Sequence, residues 1–295
     1  MSAKKIVLVT GGNTGLGYEC CLALAKQPNM HVILAGRSQQ RVDAAVAKIK
    51  VEADPSSVVE AGIVDLASLA SVRAFAEKML KRKLEFFTVV CNGGVQVSEK
   101  SLTVDGFEQT FGINHLGHFL LMELLYKHTQ RIIMMGSETH DPAENTGLPE
   151  PNVSNLDELA RGYEKFNGME AYSTSKLCNI LFAKEFVRRY PDGPKIFAYT
   201  PGYTPDTDLF RNSAMSHAAK PGIKAVSRGE GLRMSTPAYS GGYMAKLSSE
   251  EPLTPDYSNG AYIRVDEPWE VSALASDPKV AKELWEKSEV WASLK

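Results

Sequence analysis

Lys5-Ile6-Val7-Leu8-Val9-Thr10, followed at once by Gly11-Gly12-Asn13-Thr14-Gly15-Leu16-Gly17, decides the fold of this chain. The first six residues are mostly β-branched and apolar, the pattern of a short strand buried on both faces. Leu16, Cys20 and Leu24 then fall on one stripe of a helix. Strand, glycine-rich turn and helix in that order form the context in which such glycines carry phosphate binding. Gly11 would allow the tight turn, Gly15 would let the backbone approach a pyrophosphate, and Gly17 would let helix and strand pack closely. The phosphates would sit at the helix N-terminus, where free N–H groups and the dipole favour anions. Gly11, Asn13, Thr14, Gly15, Leu16 and Gly17 are therefore candidate cofactor contacts. Their spacing is GxxxGxG, which fits the commoner GxGxxG pattern only loosely.

Further apolar runs follow at regular intervals. His31–Ala35 reads as a second strand ending in Gly36-Arg37-Ser38. An acid about 20 residues past the glycines would bind the ribose hydroxyl of NAD, whereas an arginine suits the 2′-phosphate of NADP. No acid occurs between His31 and Gln40, and Arg37 stands at the diagnostic place with a guanidinium fork suited to phosphate. Ser38 either assists there or caps the next helix, and Arg41 is a weaker second candidate. Val58–Ile63 reads as a third strand. Asp65-Leu66 after it would meet the adenine or cap a helix from about Ser68 to Lys81. Phe86–Cys91 is a fourth strand, ending in Asn92-Gly93-Gly94, where glycines would let the backbone pass close to a cofactor.

Phe107 to His128 has the pattern of a long helix interrupted near Gly112 and Gly117, with Asn114 inside it. An asparagine is locally unfavourable there. His115 and His118, three apart with no acidic third ligand, read as packing or surface residues and not as a metal pair. Arg131–Met135 is a fifth strand, and Ser137 just beyond it lies where ligands of open α/β sheets bind. Residues 140–168 are polar and proline-containing, a surface excursion with one short helix near Leu156–Leu159. A helix to about Arg189 comes next, then a sixth strand at Ile196–Thr200 ending in Pro201-Gly202. The stretch from Thr204 to about Leu253, rich in Pro, Gly and Ser, reads as a mobile lobe over a substrate. A last strand at Gly260–Arg264 and a tail helix from Pro278 to Trp291 complete the pattern.

The chemistry concentrates at Tyr172-Ser173-Thr174-Ser175-Lys176. A tyrosine and a lysine four apart share one helix face. A neighbouring ammonium favours the charged form of the phenol and lowers its pKa. Use at neutral pH asks for a shift of roughly 3 units from ~10, about 4 kcal/mol, which one ammonium and a bound cofactor's charge together would supply. Such a group protonates a carbonyl oxygen.

Composition excludes other classes. The 295 residues are 43% hydrophobic and 23% charged, as in globular proteins. Thirty-three basic against 35 acidic residues give a net charge of -2, so no basic field points to nucleic acid or an anionic membrane. The apolar runs are strand-length, far short of a membrane span. No signal-peptide pattern precedes the first strand. Cys20, Cys21, Cys91 and Cys178 lack metal-ligand or disulfide-framework spacing. A reducing cytoplasm is the expected compartment, and no metal is expected.

Thr10–Gly17, Asn92-Gly93-Gly94, Asn114, Ser137, Tyr172-x-x-x-Lys176 and Pro201-Gly202 occur in the order and strand context of the short-chain dehydrogenase/reductase family, which the chain resembles over nearly its whole length. The stretches Asn114–Phe119, Val90-Cys91-Asn92, Ser175–Asn179 and Glu283–Ser288 look like its retinol-dehydrogenase and light-dependent protochlorophyllide-reductase branch. The resemblance implies one α/β domain over residues 1–295. Its architecture is a Rossmann-type doubly wound parallel sheet of about seven strands, in the order 3-2-1-4-5-6-7, with residues 203–253 as a small substrate-binding lobe. It implies that Tyr172 is the acid/base, that Lys176 lowers its pKa and bonds the nicotinamide ribose, that Ser137 holds the substrate oxygen, and that Asn114 anchors the proton relay. It also implies that backbone from Pro201 and Gly202 to Thr204 fixes the carboxamide, and that a homodimer can form through the helices of Asn114 and Tyr172. Three departures stand out: Gly93 replaces the usual alanine, Asp206 takes the slot of a threonine that falls at Thr207, and the Ser137–Tyr172 interval is long. The function expected is an NADP(H)-dependent reductase or dehydrogenase for an apolar carbonyl or alcohol. A light-dependent protochlorophyllide reductase and a non-catalytic NADP-sensing protein are the alternatives.

Overall fold

Seven parallel strands lie side by side in the order β3-β2-β1-β4-β5-β6-β7, and a short antiparallel β8 extends the edge beyond β7. They are β1 (Lys5–Thr10), β2 (Met30–Gly36), β3 (Val58–Ile63), β4 (Phe86–Cys91), β5 (Thr129–Met135), β6 (Lys195–Thr200), β7 (Tyr262–Arg264) and β8 (Glu267–Trp269). This computed structural model describes residues 3–204 and 233–295. The expected seven-strand order is present. The eighth strand adds to it: Val265 turns the chain with a φ of 62°, and Glu267–Trp269 pairs back onto β7. Pro268 lacks an N–H for a ladder, and an edge strand is where a proline is tolerated.

Helices cover both faces of the sheet. On one side α1 (Gly15–Ala25), α2 (Gln39–Glu52) and the helix Pro237–Ser249 bury Cys20, Leu24, Val42, Met244 and Leu247 against Val7, Val9, Val32 and Leu34. On the other, α3 (Leu69–Lys81), α5 (Gly117–Leu125), α7 (Gly168–Arg189) and the tail helix Pro278–Trp291 enclose Leu8, Val89, Ile132 and Ile196. Alternate strand residues serve the two clusters, the period-two rule of a sheet buried on both faces.

The helix expected from Phe107 to His128 is built in pieces. Gln109–Phe111 (α4) leads into a π turn at Gly112–Leu116, then α5, then a 3₁₀ turn at Tyr126–His128. π turns of this kind mark functional sites, and this one carries Asn114. Within the stretch expected as a substrate lobe, Thr236 caps the helix Pro237–Ser249, which packs on α1. Gly241 makes that contact possible, since a Cβ there would stand 2.5 Å from the Cβ of Glu19 and 3.0 Å from the Cys20 nitrogen. Residues 205–232 of the lobe, with Asp206, Thr207, Phe210 and Met215, lie outside the described residues.

The tail helix seats Trp285 between α5 and α7. Its ring stacks on Phe182 at 5.2 Å, meets Phe119 edge-on at 5.1 Å and carries the Arg189 guanidinium at 5.0 Å. Ser288 lies 3.2 Å from Nε2 of His115, and Trp291 meets Phe111 edge-on. No helix among the described residues is long and apolar enough to cross a membrane.

Candidate active site and cofactor cleft

The parallel strands end together along one edge, and the motif residues collect there. Gly11 has a φ of +64° and Gly15 of +55°, the left-handed region that glycine enters without strain. A Cβ at Gly11 would lie 2.8 Å from the Gly93 Cα, and one at Gly17 would lie 2.5 Å from both the Gly11 carbonyl oxygen and Nδ2 of Asn92. The glycine turn and the end of β4 thus form one floor with room for backbone only. Asn92 ties it by donating from Nδ2 to the Thr10 carbonyl at 2.8 Å, and Gly93 N–H donates to Thr10 Oγ1 at 2.9 Å. Asn13 reaches sideways: a Cβ at Gly36 would lie 2.7 Å from its Oδ1, so the turn packs against the end of β2.

A dinucleotide fits these residues. The first turn of α1 contains no acidic side chain to compete for its N–H groups. Arg37 is exposed at the end of β2 and makes no hydrogen bond or ion pair with the described residues. Ser38 caps α2, its hydroxyl accepting from Arg41 N–H at 3.5 Å. Asp65 accepts from Ala67 N–H at 3.0 Å in the turn before α3, whose cap is Ser68 and not Asp65, and Leu66 lies against Gly93 and Gly117 on the cleft floor. Gly94 lies beside Asn114, since its Cβ would stand 3.1 Å from Oδ1. At the end of β6, Gly202 has a φ of +70°, and Tyr203 N–H donates to the Arg233 carbonyl at 2.9 Å. Ser240 Oγ holds the Pro201 carbonyl at 2.7 Å, and Thr204 is buried next to Tyr203.

The four expected catalytic residues meet at the same edge. Tyr172 and Lys176 lie on one face of α7, both buried, with Nζ of Lys176 5.5 Å from the Tyr172 ring centre. Tyr172 is hydrogen-bonded to Ser137. Lys176 donates toward the Met135 carbonyl at 3.4 Å. Asn114 uses its whole amide: Oδ1 accepts from Val95 N–H at 2.8 Å, and Nδ2 donates to the Val95 carbonyl at 2.9 Å and to Ser175 Oγ at 3.0 Å. Those three bonds offset the helix-interior cost expected of an asparagine.

The electrostatics differ from the expectation for Tyr172. Burial outweighs its other influences and pushes the phenol up to about 12, with the Ser137 hydrogen bond pulling the other way. Burial also pulls Lys176 down to about 8. A phenol that keeps its proton at neutral pH is the form a general acid requires.

His140, not singled out in the sequence, supports Ser137 from behind. His140 donates from Nδ1 to the Ser137 carbonyl at 2.7 Å, while its Nε2 accepts from Ser272 N–H at 3.3 Å. Glu138 is buried beside Arg264, whose Nη1 stands 3.7 Å from it and 3.5 Å from Glu144. Burial pushes the Glu138 carboxyl up to about 7, opposed by Arg264. A folded-state value above the ordinary 4.5 means that Glu138 favours the fold below that pH and that this contribution is lost as pH rises toward 7. Glu138→Gln is expected to flatten that limb and to raise stability at about pH 8 by up to about 3 kcal/mol. Urea unfolding of both proteins at about pH 5 and about pH 8 checks it. His115 and His118 are both fully packed, as a packing role requires. Among the described residues no group of three His, Cys, Asp or Glu side chains is placed to hold a metal.

The short chain dehydrogenase family model matches residues 5–143. The WW domain-containing oxidoreductase of Danio rerio is 35% identical over 97% of this chain and 68% of its own length. The protochlorophyllide reductase of Avena sativa is 32% identical over 96% of this chain and 98% of its own. Among solved structures, an uncharacterized protein of Mycobacterium paratuberculosis superposes with a TM-score of 0.73 at 27% identity, covering 99% of this chain and 94% of that one. With the glycine floor, the serine, tyrosine and lysine at one sheet edge, and relatives of this identity along its length, the chain belongs to the short-chain dehydrogenase/reductase family of nicotinamide-dependent oxidoreductases.

Proposed function

We propose that the chain is an NADP(H)-dependent reductase of carbonyl compounds in which Tyr172 is the proton donor. The observation that carries this reading is the buried contact of Tyr172 with Ser137, with Lys176 on the same helix face. Nicotinamide, when bound, supplies the hydride. Gly11, Asn13, Thr14, Gly15, Leu16, Gly17, Arg37, Asp65, Leu66, Asn92, Gly93, Gly94, Pro201, Gly202 and Thr204 would hold the cofactor. Ser137 orients the carbonyl oxygen, Tyr172 gives that oxygen its proton, and Lys176 with Asn114 restores the proton from the interior side. Burial disfavours the phenolate, so the reductive direction suits the site, and alcohol oxidation requires added positive charge in the cleft. The substrate is proposed to be apolar: Met234 is exposed where it pairs with Tyr203 at the cleft rim. A homodimer through α5 and α7 would have to form outside the face that the tail helix occupies.

The NADP preference rests on Arg37, exposed and without a partner among the described residues where an acid would select NAD. Arg37→Ala is expected to weaken NADPH binding by roughly 10- to 100-fold and to leave NADH binding nearly unchanged, a charge-assisted bond being worth about 1.5–3 kcal/mol. Fluorescence titration with both cofactors measures it, and equal losses for the two would remove Arg37 from the reading. Turnover of ketones, aldehydes and quinones in the dark with each cofactor tests the activity itself.

A second reading is light-driven reduction of a chlorophyll precursor. It is favoured by the identity to the oat protochlorophyllide reductase along almost all of that protein's length. Turnover of a simple ketone at equal rates in light and dark would count against it.

A further inference from the structure

We propose that His118 is a positioning residue that locks the cofactor floor at Thr10 and Gly93 to Asn114, an inference that rests on the hydride-transfer reading of the site. Its ring lies wholly inside the protein, between the end of β1 and the π turn. Nδ1 stands 3.0 Å from the Asn114 carbonyl and Nε2 stands 2.8 Å from Thr10 Oγ1. A carbonyl only accepts, so Nδ1 carries the proton. Burial drives the imidazole down to about 4, with the Lys176 charge acting in the same direction, so the ring is neutral and Nε2 is an acceptor. Thr10 then donates its hydroxyl hydrogen to Nε2 at 2.8 Å in preference to the Val90 carbonyl, which stands farther off at 3.3 Å.

The polarity of the whole chain of bonds follows. Gly93 N–H donates to Thr10 Oγ1, the Thr10 hydroxyl donates to His118, and His118 donates to the Asn114 carbonyl. With the ring neutral and Nε2 the nearer of the two acceptors open to the Thr10 hydroxyl, the chain of bonds runs in this one sense. One end is backbone that the dinucleotide would lie against. The other is the residue whose amide bonds Val95 and Ser175 beside Tyr172. A π turn shifts the backbone pairing of its residues by one position, and the His118 ring meets the Asn114 carbonyl at that turn. Moving the floor therefore moves Asn114, and the reverse holds.

Two substitutions separate the halves of the link. Asparagine places its amide NH₂ near the position of Nδ1, and glutamine places its amide near Nε2. His118→Asn, which keeps the bond to Asn114 and loses Thr10, is expected chiefly to weaken NADPH binding, by about tenfold. His118→Gln, which keeps Thr10 and loses Asn114, is expected chiefly to slow single-turnover reduction, by about tenfold, with NADPH Kd moving much less. A split in these opposite senses supports the proposal. Equal shifts of Kd and rate in both variants, or a lowered Tm with neither changed, would overturn it and leave His118 as packing. Should a histidine variant not fold, Thr10→Val breaks the same bond from the other side. It is expected to raise NADPH Kd about tenfold, and an unchanged Kd would overturn the link. Cofactor Kd is read by fluorescence without turnover, so its outcome is separable from a failure of the hydride-transfer reading.

Discussion

Tyr172→Phe is expected to lower kcat for carbonyl reduction by roughly 10²–10⁴-fold, the contribution of a positioned general acid. The ring would stay in place, because phenylalanine fills the same space and the backbone of α7 is fixed by Ser175 and Asn179. Ser175 Oγ donates to the Tyr172 carbonyl at 2.8 Å, and Asn179 Nδ2 donates to the Met135 carbonyl at 2.9 Å. Only the hydroxyl is removed, and with it the hydrogen bond to Ser137. NADPH binding should therefore change little, and the loss should fall on kcat. Steady-state rates on the best ketone, with cofactor Kd from fluorescence, make the comparison. Retained turnover would dismiss Tyr172 as the acid and leave Ser137 to be explained by packing.

Trp285→Ala is the substitution expected to cost most stability, about 3–5 kcal/mol. The indole lies among Phe119, Phe182 and Phe186 under the Arg189 guanidinium. Deleting it leaves a cavity between two helices held by strands on one side and by the tail on the other. The indole Nε1 has no hydrogen-bond partner among the described residues, so Trp285→Phe gives up no polar contact there and should cost much less than the alanine. Thermal unfolding of the two variants checks the ranking. An alanine variant as stable as the phenylalanine one would mean that the tail contributes little.

Much of this structure can be read from residues alone. KIVLVT before the glycines is strand β1 to the residue, and the tail pattern Val280, Leu284, Trp285 lies on a helix with the expected bounds. Both signals are strong because burial imposes a period on them. Other features escape the period. β8 is three residues long with a proline in the middle, too short for alternation to show. The helix Pro237–Ser249 carries Gly241 and Gly242 and resembles a loop in composition, yet Gly241 is needed where α1 presses closest. The π turn at Asn114 differs from a plain helix only in backbone pairing, which no side-chain pattern reports. In the site, residue types named the chemistry of Tyr172 and Lys176. The direction in which burial moves the phenol depends on what surrounds it, and Ser137 comes to it from a distant part of the chain.

The tail helix has a consequence for how assembly and catalysis are related. Its aromatic seat closes the outer side of the two helices that carry Asn114 and Tyr172. Where those helices are completed by a neighbouring subunit, an enzyme's relay depends on association. Here the helix Pro278–Trp291 covers that side from within the same polypeptide. The packing that steadies the two helices is thereby supplied from within one chain, and a second subunit would have to meet them on another face.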